Sequence, residues 1–355
     1  MTLETLGYTE TLERYRQVNN LTHFLIGRVT MEHRDRYIVK TEQGDIDAEL
    51  LGNLRFNAES KSDLPAVGDW VALSEYDEGK GLIHALFPRK TILERQAVGK
   101  SGQKQIIASN IDYGIIVQAV NRDFNINRLE RYLTLCNTSD IEPIIVITKI
   151  DLIEHEVLTD LLNKIKDRIT NVPLIAVSNV NQSGISELKQ LIFKGKTYCL
   201  LGSSGVGKSS LINSLSGEER MKTGEISESI DRGKHVTTHR ELIPLINGAI
   251  LIDNPGMREV GMTDNSGGLE MTFEKIYDLA SQCKYSDCTH EVEDQCAVLS
   301  AIKNGEIDDS TYVNFLKMRR EQEHFESTIA ERRKKEKQFG KMVKHIMKNK
   351  KKNKY

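Results

Sequence analysis

Residues 196–217, KTYCLLGSSGVGKSSLINSLSG, place the full pattern GxxxxGK[ST] between an apolar run and a helical pattern. A strand, a glycine-rich loop and a helix in this order are the setting in which the pattern binds nucleotide phosphates. The glycines let successive backbone N–H groups turn toward a phosphate, and the helix N-terminus adds its positive end. We expect Lys208 to reach the β- and γ-phosphates and Ser209 to ligate Mg²⁺. We assign nucleotide binding to Gly202, Ser203, Ser204, Gly205, Val206, Gly207, Lys208, Ser209 and Ser210.

Strand and helix patterns alternate in the segments that precede this loop. Buried strand patterns cover 111–120, 142–153 (where the strand ends in a turn), 172–179 and 196–202, and helical patterns cover 128–139, 155–169 and 185–193. Such alternation predicts a parallel sheet with helices on both faces, so the central part of the chain is assigned to the α/β class.

The tetrapeptide TKID at 148–151 follows the apolar strand IIVI and is similar to the guanine-binding motif NKxD, with Thr in place of Asn. A carboxylate accepts both N–H groups of the guanine edge, whereas adenine would leave a buried Asp151 unpaired. Beside a phosphate loop on the same sheet, the motif predicts a guanine nucleotide. Ser178 ends the run LIAVS, where a second base-contacting loop is expected, although the next two residues depart from the common SAK pattern. The expected base contacts are Thr148, Lys149, Asp151 and Ser178.

A third motif, DNPG at 253–256, follows the apolar strand AILI. We expect Asp253 to hold Mg²⁺ through water and the Gly256 N–H to bind the γ-phosphate. An ordinary strand-to-loop turn is the alternative. Ordinary GTPases have the phosphate loop first, but here TKID precedes it, so the same sheet requires a circularly permuted chain. The segment after DNPG then leads directly into the C-terminal part, and a γ-phosphate-sensitive switch would pull on the next domain.

Five short runs of alternating apolar residues occupy the N-terminal part, at 23–31, 36–42, 45–51, 69–76 and 81–87. Five strands in about 70 residues fit a small barrel of the OB type. Residues 1–20 are expected to be a short helical or loose lead-in, and 91–110 a polar connection. Such barrels often bind RNA, but a barrel that serves only as a docking platform is an open alternative.

Composition excludes several classes of protein. The 355 residues, 39% hydrophobic and 28% charged, suit a soluble globular chain of two or three domains. The apolar runs are too short to span a bilayer, and the N-terminus lacks a secretory pattern, so we expect a cytoplasmic protein that does not enter membranes. Thiols stay reduced there, so the five cysteines are expected to be metal ligands or core residues.

The pattern C-x4-C-x-H-x5-C at 283–296 supplies four soft or borderline ligands within 14 residues. This donor set fits a closed tetrahedral Zn²⁺ site, and the lack of an open position indicates a structural metal. Core thiols with a stray histidine are the alternative. The expected ligands are Cys283, Cys288, His290 and Cys296. Cys136 and Cys199 lie within helical and strand patterns and are assigned to the core.

Charge is concentrated at the C-terminus. Residues 319–355 contain 14 Lys and Arg against 5 Asp and Glu, a net of +9, which leaves −11 on the remaining 318 residues. A basic tail on an acidic body favours a polyanionic partner, with nucleic acid the first candidate. A solvated charged helix is the alternative.

The chain resembles the ribosome small-subunit-dependent GTPase A (RsgA) family of circularly permuted GTPases. The resemblance covers roughly residues 21–320 and rests on the permuted order together with GDWV, TKID, GSSGVGKSSLIN, GKHVTTH, DNPGMRE and CKYSDCTHEVEDQCAV. It implies an OB domain, a permuted GTPase domain and a mainly helical zinc domain with a basic helical tail. On this sequence the expected parts are a lead-in at 1–20, the OB domain at 21–95, the GTPase domain at 96–262, the zinc domain at 263–325 and the tail at 326–355.

The resemblance also implies an activity. Members hydrolyse GTP, bind the small (30S) ribosomal subunit and its rRNA, and assist its late maturation, with hydrolysis stimulated by the subunit and coupled to release. It implies one structural Zn²⁺ per chain, Mg²⁺ with GTP, and a monomer. Two alternatives stay open: a nucleotide-gated RNA-binding module whose hydrolysis is incidental, and a permuted GTPase of another ribosome-assembly step.

The segment GKHVTTH at 233–239 resembles the family's first switch, with Val236 where Thr is usual. The resemblance implies that Thr237 is the Mg²⁺ ligand, with Thr238 as the alternative, and that His235 acts in hydrolysis. Met257 stands where Ras-type enzymes have a water-orienting Gln, and an apolar side chain cannot orient water. We therefore assign the catalytic role to His235 with Thr237. A loop histidine without chemistry is the alternative.

Overall fold

The structure is a computed structural model that describes residues 2–33, 36–96, 104–121, 124–217, 240–254, 266–327 and 334. Its N-terminal strands close into a barrel: β1 (Leu25–Glu32), β2 (Arg36–Thr41), β3 (Gly44–Leu50), β4 (Trp70–Asp77) and β5 (Lys80–Leu86). Strand β1 pairs with both β2 and β4, β2 pairs with β3, and β5 joins β3 to β4, which completes the ring. Helix α2 (Gly52–Asn57) follows β3.

Alternation along the strands explains why the barrel forms. Val29, Val39, Val71 and Leu73 are fully buried inside it, and the other face of β4 is buried as well, through Trp70 and Ala72. Successive side chains of a strand point to opposite faces, so one face of β4 fills the barrel and the other packs on the lead-in. The predicted five-stranded barrel is confirmed.

The lead-in is folded onto the barrel. It contains a short 3-10 turn (Glu4–Leu6) and helix α1 (Glu10–Val18). Leu6 is buried against Trp70 of β4. Arg28, which is 1% exposed, donates hydrogen bonds to the carbonyl oxygens of Leu6, Gly68 and Asn110 and to Thr197 Oγ1. Burial lowers the pKa of the Arg28 guanidinium to about 10. This one side chain therefore connects the lead-in, the barrel and the central sheet.

A hairpin follows the barrel. Strands β6 (Ile92–Gln96) and β7 (Lys104–Ser109) pair antiparallel and form a separate two-stranded sheet. The expectation of a simple polar connection at 91–110 is wrong for the described residues. Leu93 and Ile107 are fully buried in the core of the next unit, and this burial holds the hairpin in place.

The central sheet contains β8 (Tyr113–Ala119), β9 (Glu142–Thr148), β10 (Leu174–Ala176), β11 (Thr197–Leu201), β12 (Glu241–Pro244) and β13 (Ile250–Asp253). Their order is β10-β9-β8-β11-β13-β12, and the pairings are parallel except that β12 runs antiparallel to β13. Strand β12 also pairs with β1 through Glu241 and Met31, so barrel and sheet are continuous.

Helices cover both faces of this sheet, as predicted. They are α3 (Ile126–Thr138), α4 (His155–Arg168), α5 (Ile185–Gln190) and α6 (Lys208–Ser216), with a short 3-10 turn at Ile150–Leu152. Leu129 of α3 and Ile165 of α4 are buried in one apolar cluster. Leu188 of α5 and Leu211 of α6 are buried in the other.

The C-terminal part is mainly helical, as predicted. Its described helices are α7 (Ser266–Thr272), α8 (Glu274–Ala280), α9 (Ala297–Lys303) and α10, residues 309–327. Phe273, Phe315 and Met318 form their shared core. Among the helices of the described residues, none combines the length and apolar character needed to span a bilayer.

Candidate active site and metal centre

The phosphate loop connects β11 to α6 in a conformation that requires glycine. Gly202, Gly205 and Gly207 have φ values of +151°, +79° and +96°. A Cβ on Gly202 would lie 2.4 Å from the backbone oxygen of Val117 in the neighbouring strand β8. Only glycine accepts such backbone angles at this closeness, so the loop can present its N–H groups as the sequence pattern predicts.

Lys208 is folded back over the loop. Its Nζ donates 2.7 Å hydrogen bonds to the carbonyl oxygens of Gly202 and Ser203, and the residue is 9% exposed. Burial lowers the Lys208 pKa, which the Asp253 carboxylate opposes. Burial raises the Asp253 pKa, and Lys208 opposes that shift in turn. The phosphate loop and the end of β13 thus place a buried cation and a buried carboxylate close enough to act on each other.

These groups fit a nucleotide with magnesium. Ser209 is half-buried in the first turn of α6, and Asp253 is 4% exposed at the end of β13. A hydroxyl and a carboxylate are the oxygen ligands that Mg²⁺ takes beside phosphate oxygens. Ser209 would hold the ion directly and Asp253 would hold it through water, and the ion would neutralise charge on the phosphates. Ser203 and Ser210 are half-buried, and Ser204 lies exposed at the mouth of the loop.

The TKID motif follows β9 and the phosphate loop follows β11, and the two meet at the same edge of the sheet although β8 lies between these strands. The Thr148 hydroxyl donates to the carbonyl oxygen of Val206, so the threonine ties the two motifs together. Lys149 has a left-handed φ of +60° and begins the turn that presents Asp151. The Asp151 carboxylate is exposed and accepts a hydrogen bond from the Ser178 hydroxyl. The four predicted base contacts are therefore brought to one edge of the sheet.

Part of the predicted site lies outside the described residues. This applies to His235 and Thr237, assigned to catalysis, and to Gly256 and Met257 of the DNPG segment. The described part of that segment ends at Asn254, which is 2% exposed and donates from Nδ2 to Cys199 Sγ at 3.1 Å. The basic tail lies outside too, except for residues 326, 327 and 334.

The four predicted metal ligands meet at one point. The ligand atoms of Cys283, Cys288, His290 and Cys296 all lie within 4.8 Å of one another. Nδ1 of His290 is 3.6 Å from Cys283 Sγ and 3.4 Å from Cys296 Sγ, and these two sulfurs are 3.8 Å apart. A tetrahedral site with Zn–S bonds of about 2.3 Å separates its sulfurs by ~3.8 Å. The cluster can hold a metal ion, and its spacing fits Zn²⁺.

Sequence patterns alone do not predict the polar network that joins the GTPase-like unit to the last helix. Glu130 of α3 is 1% exposed, and both of its oxygens lie 2.7 Å from Arg168 Nη2. Asn314 of α10 donates to the same carboxylate at 2.6 Å. On α3, Arg128 lies 3.3 Å from Ser203 Oγ in the phosphate loop, and Arg131 forms two bonds to Glu321 of α10. Helix α3 therefore contacts both the phosphate loop and the C-terminal unit.

Comparison with protein families gives one match to this architecture. A family model described as RsgA GTPase matches residues 86–263. A protein of Listeria monocytogenes serotype 4b named "Small ribosomal subunit biogenesis GTPase RsgA 2" is 43% identical over 90% of this chain and 89% of its own. A Bacteroides thetaiotaomicron protein named "Small ribosomal subunit biogenesis GTPase RsgA 1" is 38% identical over 98% of this chain and 97% of its own.

Two solved structures share the fold. The crystal structure of YjeQ from Thermotoga maritima superposes with a TM-score of 0.61 and 29% identity, covering 84% of this chain and 98% of that one. The crystal structure of YloQ, described as a circularly permuted GTPase, superposes with a TM-score of 0.61 and 26% identity, covering 85% and 96%. The permuted order predicted here matches that description.

Proposed function

The chain belongs to the RsgA GTPase family and is a GTP-hydrolysing enzyme of ribosome biogenesis, and from this premise we propose that it acts on the small subunit. It binds the small (30S) subunit and its rRNA late in maturation. The subunit stimulates hydrolysis, and hydrolysis releases the enzyme. The observation that carries this proposal is that TKID, the phosphate loop and Asp253 lie together in permuted order, with the C-terminal unit attached to the same domain.

The roles of the site residues form part of the proposal. Backbone N–H groups of residues 202–210 hold the phosphates of GTP or GDP, and Lys208 contacts the β- and γ-phosphates. Asp151 accepts from the guanine edge, supported by Ser178, whose hydroxyl already donates to it. Ser209 and Thr237 would hold the Mg²⁺ that accompanies GTP, and Asp253 would hold it through water.

Helix α3 supports the coupling of hydrolysis to release. Arg128 contacts the phosphate loop at Ser203, and Arg131, one turn later, forms an ion pair with Glu321 of α10. A change in the phosphate loop therefore reaches the C-terminal unit through one helix. Packed elements with two arrangements are the physical basis of such switches.

His235 is proposed to accept a hydrogen bond from the attacking water. A neutral imidazole can do this, and an unperturbed histidine pKa of ~6.5 leaves it mostly neutral near pH 7. His235→Ala should keep nucleotide and subunit binding but lose stimulated turnover by ~10²-fold or more, the scale of a positioned acid–base group. His239→Ala, in the same segment, is the matched control. Normal stimulated turnover in His235→Ala would show that another group positions the water.

The remaining parts complete the proposal. One structural Zn²⁺ per chain holds the C-terminal unit, the basic tail adds rRNA contacts, and the protein works as a monomer in the cytoplasm. We propose domain boundaries after residues 20, 95, 262 and 325. The boundary after residue 95 lies within strand β6, and the boundary after residue 325 lies within helix α10.

The decisive experiment measures GTP turnover by the full chain with and without purified small subunits, with large subunits as the control. A large stimulation by small subunits alone supports the proposal. Co-sedimentation with each subunit, in GDP and in a non-hydrolysable GTP analogue, then tests release. Nucleotide-dependent binding without stimulated turnover would favour an RNA-binding module whose hydrolysis is incidental. Stimulation by large subunits would favour a different assembly step.

A further inference from the structure

Three loops of the nucleotide site meet around Gly207. A Cβ built on this glycine would lie 3.7 Å from Thr148 Oγ1 and 3.6 Å from Asn179 Nδ2. Thr148 belongs to TKID, and Asn179 follows Ser178 in the loop expected to contact the base. Gly207 has a φ of +96° and precedes α6 directly. The two segments expected to contact the base therefore approach the phosphate loop at this one glycine.

The Asn179 side chain also reaches the helix that follows the phosphate loop. Its Oδ1 accepts a hydrogen bond from Ser214 Oγ of α6 at 3.1 Å, and both residues are half-buried. The residues are 35 positions apart in the chain. The asparagine thus bridges the base loop and α6, with its amide nitrogen turned toward Gly207.

The loop that carries Asn179 is internally bonded. The Ser178 hydroxyl accepts from the backbone N–H groups of Val180 and Asn181 at 3.2 and 3.4 Å, and it donates to Asp151. Gln182 Nε2 donates to the Asn179 carbonyl oxygen at 2.7 Å. Because these bonds hold the loop as one piece, a contact that fixes Asn179 also fixes Ser178 and the Asp151 carboxylate.

We propose that Asn179 is a positioning residue for guanine recognition, which holds the base loop at a set distance from the phosphate loop. The inference rests on the proposed guanine-nucleotide site and names a residue that governs its selectivity. A bound nucleotide spans a limited distance between base and α-phosphate, so its base is read best where the two loops keep a spacing that matches this distance. Loss of the hydrogen bond from Ser214 to Asn179, which we call the tether, leaves the phosphate contacts in place and weakens discrimination between bases.

The test uses the full-length protein and competition against a fluorescent GDP. Affinities for GDP, ADP and inorganic pyrophosphate are measured for Asn179→Ala, Ser214→Ala and the double variant. One net hydrogen bond corresponds to about 2- to 12-fold in affinity, so the GDP-to-ADP preference should fall by about that factor. Pyrophosphate affinity should be unchanged, which a general loss of structure would not allow. The double variant should be no worse than the poorer single variant.

Two further variants distinguish loss of the Ser214–Asn179 hydrogen bond from a general disturbance of the loop that carries Asn179. Asn179→Asp keeps an acceptor for Ser214 and should retain most of the preference. Asn181→Ala removes an asparagine of the same loop, whose Oδ1 accepts from the Ser183 N–H, and should leave the preference unchanged. An unchanged GDP-to-ADP preference in Asn179→Ala, or an equal loss in Asn181→Ala, would overturn the inference. A wild-type protein without preference for GDP would instead refute the proposed guanine site, and the inference with it.

Discussion

The buried carboxylate of Glu130 provides the sharpest test of how the last helix is attached. Arg168 makes three contacts of 2.7–3.1 Å to it, and Asn314 of α10 adds a fourth. Arg168→Met removes the guanidinium and keeps an unbranched side chain. It leaves a carboxylate that is 1% exposed with a neutral amide as its remaining named partner. Breaking a buried pair from one side costs about 3–5 kcal/mol, which in a unit of this size lowers the melting temperature by roughly 10 °C.

The size of this loss depends on pH. Burial raises the Glu130 pKa in the folded protein, and Arg168 opposes that shift. A folded-state pKa above the unfolded value means that the folded state binds more protons between the two values. The contribution of Glu130 to the free energy of unfolding is therefore greatest below the ordinary glutamate pKa. It falls as the pH rises through the raised pKa of the folded state. Without Arg168 the pKa rises further, so the variant should lose more stability at about pH 8 than at about pH 5.

The assay is thermal unfolding across this pH range, with limited proteolysis of α10 as a second readout. Glu130→Gln/Arg168→Met should recover most of the stability, because the double variant no longer buries an unpaired charge. Arg36→Met is the matched control, since Arg36 is 58% exposed and pairs with Asp47 and Glu49 on the barrel surface. It should cost no more than ~1 kcal/mol. A loss in Arg168→Met equal to the control, or independent of pH, would refute this reasoning.

Three other outcomes are expected. Asp151→Asn should lose GTP affinity and gain affinity for xanthine nucleotides, whose extra carbonyl accepts from the amide; unchanged GTP affinity in a competition assay would contradict the assignment. Metal analysis should find about one Zn²⁺ per chain. Cys288→Ala should destabilise the C-terminal unit while GTP binding persists. A metal-free, fully folded protein would contradict the assignment. Truncation after Phe325 removes the basic tail, so ribosome affinity should fall and depend less steeply on salt. An identical salt slope would exclude the tail as an RNA contact.

Local patterns predicted most of the strands but not β6, β7 or β12, and the failure at β6 has a physical cause. The barrel strands are runs of six to eight residues that are separated by polar or glycine-containing breaks, which is a recognisable signal. Strand β6 has five residues, and its pairing with β7 shifts register between Leu93 and Glu94. A bulge there breaks the two-residue period, so the strand pattern is lost although Leu93 is fully buried.

The parts of the site that could be predicted lie within short segments, whereas the unpredicted parts depend on contacts between distant positions. The phosphate loop and the Cys/His cluster are each contained within a short segment, so their spacing is visible in the sequence. Glu130 meets Arg168 and Asn314 across 38 and 184 positions, and no local pattern relates them. A glutamate within a helical pattern is normally assigned to the exposed face, because its burial depends on partners that only the fold supplies.

The permuted order gives α3 a position that an ordinary order would not. The segment after β13 continues to α7, which packs on α3: Gly268 lies so close to Thr134 and Thr138 that a Cβ would meet Thr138 Oγ1 at 2.1 Å. Interfaces this close do not deform gradually, since a small shift forces the two helices to move together or to separate. From the proposed function we expect the phosphate loop to act on the C-terminal unit through α3, and Asp253 to act on it through the chain that leads to α7. Because α7 and α10 pack around one core, we expect a displacement at the phosphate loop or at Asp253 to move the C-terminal unit as a whole.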